Sequence, residues 1–97
     1  MFSYAPPTDD YHFLLSRVIG FDAAMAEVGR ADIDVDLMVT ILEEAGRVCA
    51  DRLHPLNRSG DEEGSRLENG AVKTPAGFAD AYHAFAEGGW MALSGDP

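Results

Sequence analysis

The chain has 97 residues, enough for one small domain, and is 46% apolar and 25% charged. That is the balance of an ordinary globular protein rather than a disordered, collagen-like or disulfide-stapled one. Seven Lys and Arg stand against 17 Asp and Glu, a formal net charge of −10, so no basic stripe exists to neutralise phosphates, and nucleic acid and anionic membrane surfaces are excluded as partners.

In chain order, Pro6-Pro7 predicts an extended arm over residues 1–7, of polyproline character, because a proline pair blocks helix there. A first helix is expected from Thr8, with Thr8 as its N-cap and Asp9 and Asp10 against the positive helix end. Tyr11, Leu14, Leu15 and Val18 fall at i, i+3, i+4 and i+7, the spacing of one buried stripe, and Gly20 is the stop. Asp22 is expected to cap a short second helix ending at Gly29.

The third helix has the most regular pattern. Asp34 or Asp36 caps it, and Met38, Ile41, Leu42, Ala45, Val48, Cys49 and Leu53 form its apolar stripe. Glu43 and Arg47 are spaced for an i, i+4 ion pair. Pro55 is expected to end this helix by disfavouring helical geometry at His54.

Residues 55–73 read as irregular, with a solvated acidic run at Asp61-Glu62-Glu63. Within them Arg66–Lys73 reads as a hairpin around Asn69-Gly70, the dipeptide suited to two positive φ angles. A hairpin alone is marginal in water, so this one is expected to pack on something. Thr74-Pro75 opens the fourth helix, with Pro at its first position. Phe78, Ala81, Tyr82 and Phe85 share one face, and Gly88-Gly89 end it. Trp90, Met91 and Leu93 then continue as an apolar segment of a kind that normally runs on into structure covering it. The chain is therefore expected to be part of something longer.

The residues give no catalytic constellation. His12, His54 and His83 have no zinc spacing. Asp61, Glu62 and Glu63 are consecutive, so their side chains diverge instead of alternating as calcium ligands do, and adding His54 does not repair the spacing. Cys49, on the apolar stripe, reads as a small packed hydrophobe rather than a reactive thiol. As the single cysteine it allows no intrachain disulfide and gives no sign of an oxidising compartment. The start has no signal-peptide pattern and no apolar run is long enough to span a membrane, so a cytoplasmic address is expected. Phe78, Tyr82, Phe85, Trp90 and Met91 are the candidate docking or cavity-lining face.

Two stretches carry a family resemblance. One is Tyr4-Ala5-Pro6-Pro7-Thr8-Asp9-Asp10-Tyr11-His12-Phe13-Leu14-Leu15 with Val18-Ile19-Gly20. The other is Ile41-Leu42-Glu43-Glu44-Ala45 followed by Pro55-Leu56-Asn57-Arg58-Ser59-Gly60-Asp61-Glu62-Glu63-Gly64, Thr74-Pro75-Ala76-Gly77-Phe78, Ala81-Tyr82 and Gly88-Gly89-Trp90. Together they cover almost the whole chain, which resembles the N-terminal part of the acyl-CoA dehydrogenases. In that family the Asp96-Pro97 position leads into a further segment that this chain lacks.

The resemblance implies a mostly α fold: a small helical N-terminal domain of acyl-CoA dehydrogenase type, with about four helices and one short β-hairpin. It implies an arm and first helices over residues 1–33, and the N-terminal helical domain, truncated at its C-terminal end, over residues 34–97. It implies a parent enzyme that uses FAD to convert an acyl-CoA thioester to a 2-enoyl-CoA. A glutamate takes the α-proton, and electrons pass to an electron-transfer flavoprotein. The parent is expected to be a homo-oligomer. The catalytic glutamate and flavin-binding residues lie downstream in the family, so none is carried onto this chain, and the segment alone is expected to bind no FAD and to be inactive. Its role would be to wall the acyl cavity and pack on the remaining dehydrogenase domains. The alternative is a stand-alone acidic helical binding module without catalytic activity.

Overall fold

The computed structural model describes residues 3–95; the first two residues of the expected arm and the Asp96-Pro97 end lie outside them. The protein is mostly helical with one antiparallel hairpin, as the sequence predicts. The helices are α1 (Thr8–Phe13), α2 (Phe21–Glu27), α3 (Val35–Val48), α4 (Pro55–Glu63) and α5 (Phe78–Glu87), and the strands are β1 (Arg66–Glu68) and β2 (Ala71–Lys73). Leu14–Ile19 and Cys49–Leu53 are π-helical, and Trp90–Ala92 is a 3₁₀ turn. The chain forms two compact units, residues 3–47 and 48–95.

In the first unit the proline arm is not a polyproline stretch. Pro7 has φ −79° and ψ 56°, and the Thr8 N–H donates to the Pro6 carbonyl at 2.8 Å, an inverse γ-turn. The helix starts at Thr8 as expected, but Pro7 holds the cap position and no side chain caps it. Pro6 lies against Gly46 of α3, where an added Cβ would come within 2.9 Å of the Pro6 Cβ. That glycine is what lets the arm seat on the helix.

The stripe predicted for the first helix is not buried. Tyr11, Leu14 and Val18 are exposed, and only Leu15 is half-buried. The i, i+3, i+7 pattern gave the helix and its face correctly, but burial also requires something packed on that face. The Ser16 hydroxyl donates to the His12 carbonyl at 2.6 Å, where the helix passes into its π segment. Gly20, at φ +67°, ends this segment.

Asp22 does not cap α2, whose N-cap is Gly20. Its carboxylate instead accepts the Val35 N–H at 2.8 Å, satisfying a first-turn donor of α3 from 13 residues away. Asp34 accepts the Leu37 N–H at 2.8 Å and so is the N-cap of α3, settling the choice between Asp34 and Asp36. After α2, Gly29 takes φ +76° and the Arg30 N–H reaches back to the Met25 carbonyl at 2.8 Å. Arg47 pairs with Glu44 rather than with the expected Glu43. Both acids are within a turn of it, and the i, i+3 rotamer is the one adopted.

In the second unit Pro55 does not terminate helical structure. The Cys49–Leu53 segment closes with the His54 N–H on the Cys49 carbonyl at 2.7 Å, and His54 stays right-handed helical at φ −57°, ψ −42°. Pro55 then occupies the first position of α4, where its missing N–H costs no intrahelical bond. Residues 55–63, expected to be irregular, are therefore α4. The acidic run Asp61-Glu62-Glu63 is its last turn, with Glu62 paired to Arg58 at 2.9 Å.

The hairpin forms in the expected place, with Arg66 opposite Lys73, Leu67 opposite Val72 and Glu68 opposite Ala71. Asn69 and Gly70 take φ +52° and +77°, both positive as the two-residue turn requires. The expected packing of the hairpin does not occur, because every residue of both strands is exposed. α5 starts at Phe78, three residues later than Thr74-Pro75 suggested. Pro75 is buried in a turn, and Gly77, at φ +88°, precedes the helix. Gly88 and Gly89 end it as expected.

Candidate functional site

Four of the seven side chains lining an apolar groove of about 390 Å³ come from one face of α5: Phe78, Ala81, Tyr82 and Phe85. The other three are Leu53, at the end of the π segment, and Leu56 and Asn57, in the first turn of α4. Both sets repeat at i, i+3 and i+4, so two helical faces meet across the groove. α5 packs on the Cys49–Leu53 segment, which sets the spacing between them.

Two glycines shape this wall. An added Cβ at Gly60 would meet the Phe78 ring at 2.6 Å, so the ring lies flat on α4 only because that position has no side chain. An added Cβ at Gly77 would meet Leu56 Cδ2 at 2.8 Å. The loop between α4 and α5 is fastened where the Ala76 N–H donates to a Glu63 carboxylate oxygen at 2.9 Å.

Of the five residues singled out in the sequence, Phe78, Tyr82 and Phe85 come together in the groove, while Trp90 and Met91 are not part of its lining. The half-buried Trp90 indole folds back toward Gly88, where an added Cβ would meet its Nε1 at 2.7 Å, and Met91 is exposed. Tyr82 stands edge-on to His83, with ring centroids 5.9 Å apart and planes at 70°. Sequence reading missed Leu53, Leu56 and Asn57 as lining residues. Their i, i+3, i+4 spacing was visible, but the reading of Pro55 as a helix stop hid it.

The lining offers apolar surface with the Asn57 amide and the Tyr82 hydroxyl as its polar groups, and contains no carboxylate, imidazole, thiol or cationic side chain. It can hold an apolar group or a packed side chain, but has no group for proton transfer or nucleophilic attack. The described residues also do not fit a flavin dinucleotide. The groove presents no basic side chain to a pyrophosphate, and the sequence has no dinucleotide-binding glycine turn. Among the described residues, no three His, Cys, Asp or Glu are grouped so as to hold a metal ion.

A second cleft of about 430 Å³ lies within residues 3–47, lined in part by His12, Ser16, Phe21, Asp22, Val35 and Asp36. Nothing in the sequence pointed to it, because its walls come from α1, α2 and the start of α3. The Asp22 carboxylate there is already engaged by the Val35 N–H. Among the described residues, no helix is long and apolar enough to cross a membrane.

No protein-family profile matches the chain. It is 37% identical over 92 residues to 3-methylmercaptopropionyl-CoA dehydrogenase of Ruegeria pomeroyi (strain ATCC 700808 / DSM 15171 / DSS-3). The alignment covers 95% of this chain but only 16% of that protein, in its N-terminal region. Over nearly its whole length, then, this chain is related in sequence to the N-terminal region of an acyl-CoA dehydrogenase.

Proposed function

We propose that these residues are the N-terminal helical domain of an FAD-dependent acyl-CoA dehydrogenase, a parent protein that converts an acyl-CoA thioester to a 2-enoyl-CoA. The observation that carries the reading is the 37% identity spread across 95% of the chain. In this reading the stretch up to residue 33 is the arm with the first helices, and the stretch from residue 34 onward is the helical domain. The groove under Phe78, Tyr82 and Phe85 is the surface offered to the acyl cavity or to the remaining domains, and Trp90 and Met91 extend the apolar surface beyond it.

The absence of charge in the groove supports a packing or acyl-lining role over a chemical one. Because the described residues do not fit the flavin, the cofactor and the reacting groups belong to the rest of the parent. Electrons would leave for an electron-transfer flavoprotein, and the parent would be a homo-oligomer in the cytoplasm.

The test is the natural gene product. Its reading frame and intact mass are measured, and it is assayed for acyl-CoA-dependent bleaching of a bound flavin. A product several hundred residues longer that bleaches with acyl-CoA supports the reading. A natural product of 97 residues would overturn it and leave an acidic binding module.

A further inference from the structure

The hairpin of β1 and β2 has one apolar and one charged face. Glu68 and Ala71 close the two-residue turn, so Leu67 and Val72 form the next cross-strand pair, where side chains lie closest. Arg66, Glu68 and Lys73 alternate onto the other face, with Arg66 and Glu68 paired at 3.4 Å. Leu67 is 77% exposed and Val72 66% exposed, so the chain itself does not cover the apolar pair. The base of the hairpin, by contrast, is fastened by the Glu63–Ala76 hydrogen bond and the buried Pro75. The structure thus holds an apolar pair outward on an anchored stem.

The size of this face selects its occupant. Two exposed side chains offer at most a few hundred Å². Each partner of a stable complex between separate proteins contributes about 800 Å². A face this small is covered stably only by a group already tethered nearby, for which the effective concentration replaces the cost of association. The chain spans 16% of the length of its relative, so such a tethered group has ample source.

We propose that the hairpin Arg66–Lys73 is an interdomain arm whose Leu67–Val72 face is covered by another part of the same longer polypeptide. The inference rests on the dehydrogenase reading for the existence of that polypeptide. The apolar pair docks and the charged face stays in water.

The test uses the natural full-length product carrying Cys49→Ala and a single new cysteine, Leu67→Cys or Glu68→Cys. Thiol labelling is followed peptide by peptide by mass spectrometry. Adjacent residues on opposite faces of one strand control for folding and local mobility. Labelling at position 67 is expected to be at least 30-fold slower than at position 68. Equal rates would overturn the arm. Flavin bleaching by acyl-CoA is measured on the same preparations. Equal rates in an enzyme that bleaches sink the arm and leave the dehydrogenase reading standing. Protection at position 67 without bleaching keeps the arm and sinks the enzyme class.

Discussion

Gly77 takes φ +88° and ψ −15° at the entrance to α5, in the left-handed region where a Cβ is penalised. Replacing it with alanine is expected to destabilise the fold by about 1–2 kcal/mol, mostly from the backbone. Leu56, whose Cδ2 sits 2.8 Å from the new Cβ, can turn aside, which would reshape the groove. A fall in the urea midpoint at constant m-value checks this, and an unchanged midpoint would contradict the left-handed assignment. Asp22→Ala is expected to cost about 1 kcal/mol, the worth of a lost helix cap, with Asp22→Asn retaining most of it. The Arg30 guanidinium grips Asp32 through two parallel hydrogen bonds, 3.1 and 3.2 Å long. That side-chain hydrogen bond, ahead of the charge attraction, holds the Asp32 carboxyl below the usual carboxylate range. Because the folded value lies below the unfolded one, the stabilisation is present above about pH 4 and is lost as pH falls through the depressed value. Arg30→Met should return the Asp32 titration midpoint, followed by carboxyl NMR, to the ordinary range.

At the scale of elements, the α4–hairpin–α5 segment depends on one carboxylate. Glu63, in the last turn of α4, accepts the Ala76 N–H across the base of the hairpin. Glu63→Ala should raise amide exchange at Ala76 at least tenfold, and Glu63→Gln, which keeps an acceptor oxygen, should change it far less. Equal effects of the two would mean that the bond does not tie the loop. The hairpin was legible because Asn69-Gly70 is a local instruction that does not depend on neighbours. α4 was not legible, because reading Pro55 as a stop ignored that a proline ending one helix is also suited to begin the next. The difference was made by the π turn at Cys49–Leu53, whose wider hydrogen bonds release the chain just before the proline.

For the whole molecule, Val35 and Ala81 are the buried apolar residues of the described core, while Tyr11, Val18, Leu67, Val72 and Leu93 remain exposed. So thin a core predicts an unfolding free energy below about 5 kcal/mol for the isolated chain, at the low end for small domains. Two-state analysis of urea unfolding measures it. A value near 10 kcal/mol would mean that the exposed faces are covered in solution, as they would be by self-association.

By itself the sequence determined the helical class, the hairpin and its turn, the glycine stops at Gly20, Gly29 and Gly89, and the relation to the dehydrogenases. These are written in backbone preference and residue order, which act locally or survive as identity. Only the tertiary structure decided that Asp22 serves α3 rather than α2. It alone showed that Phe78, Tyr82 and Phe85 share a groove with Leu53 and Leu56 while Trp90 turns toward Gly88. It also left the Tyr11, Leu14 and Val18 stripe without a cover. Periodicity tells which face of an element is apolar. Whether that face is buried depends on what the rest of the chain brings to it.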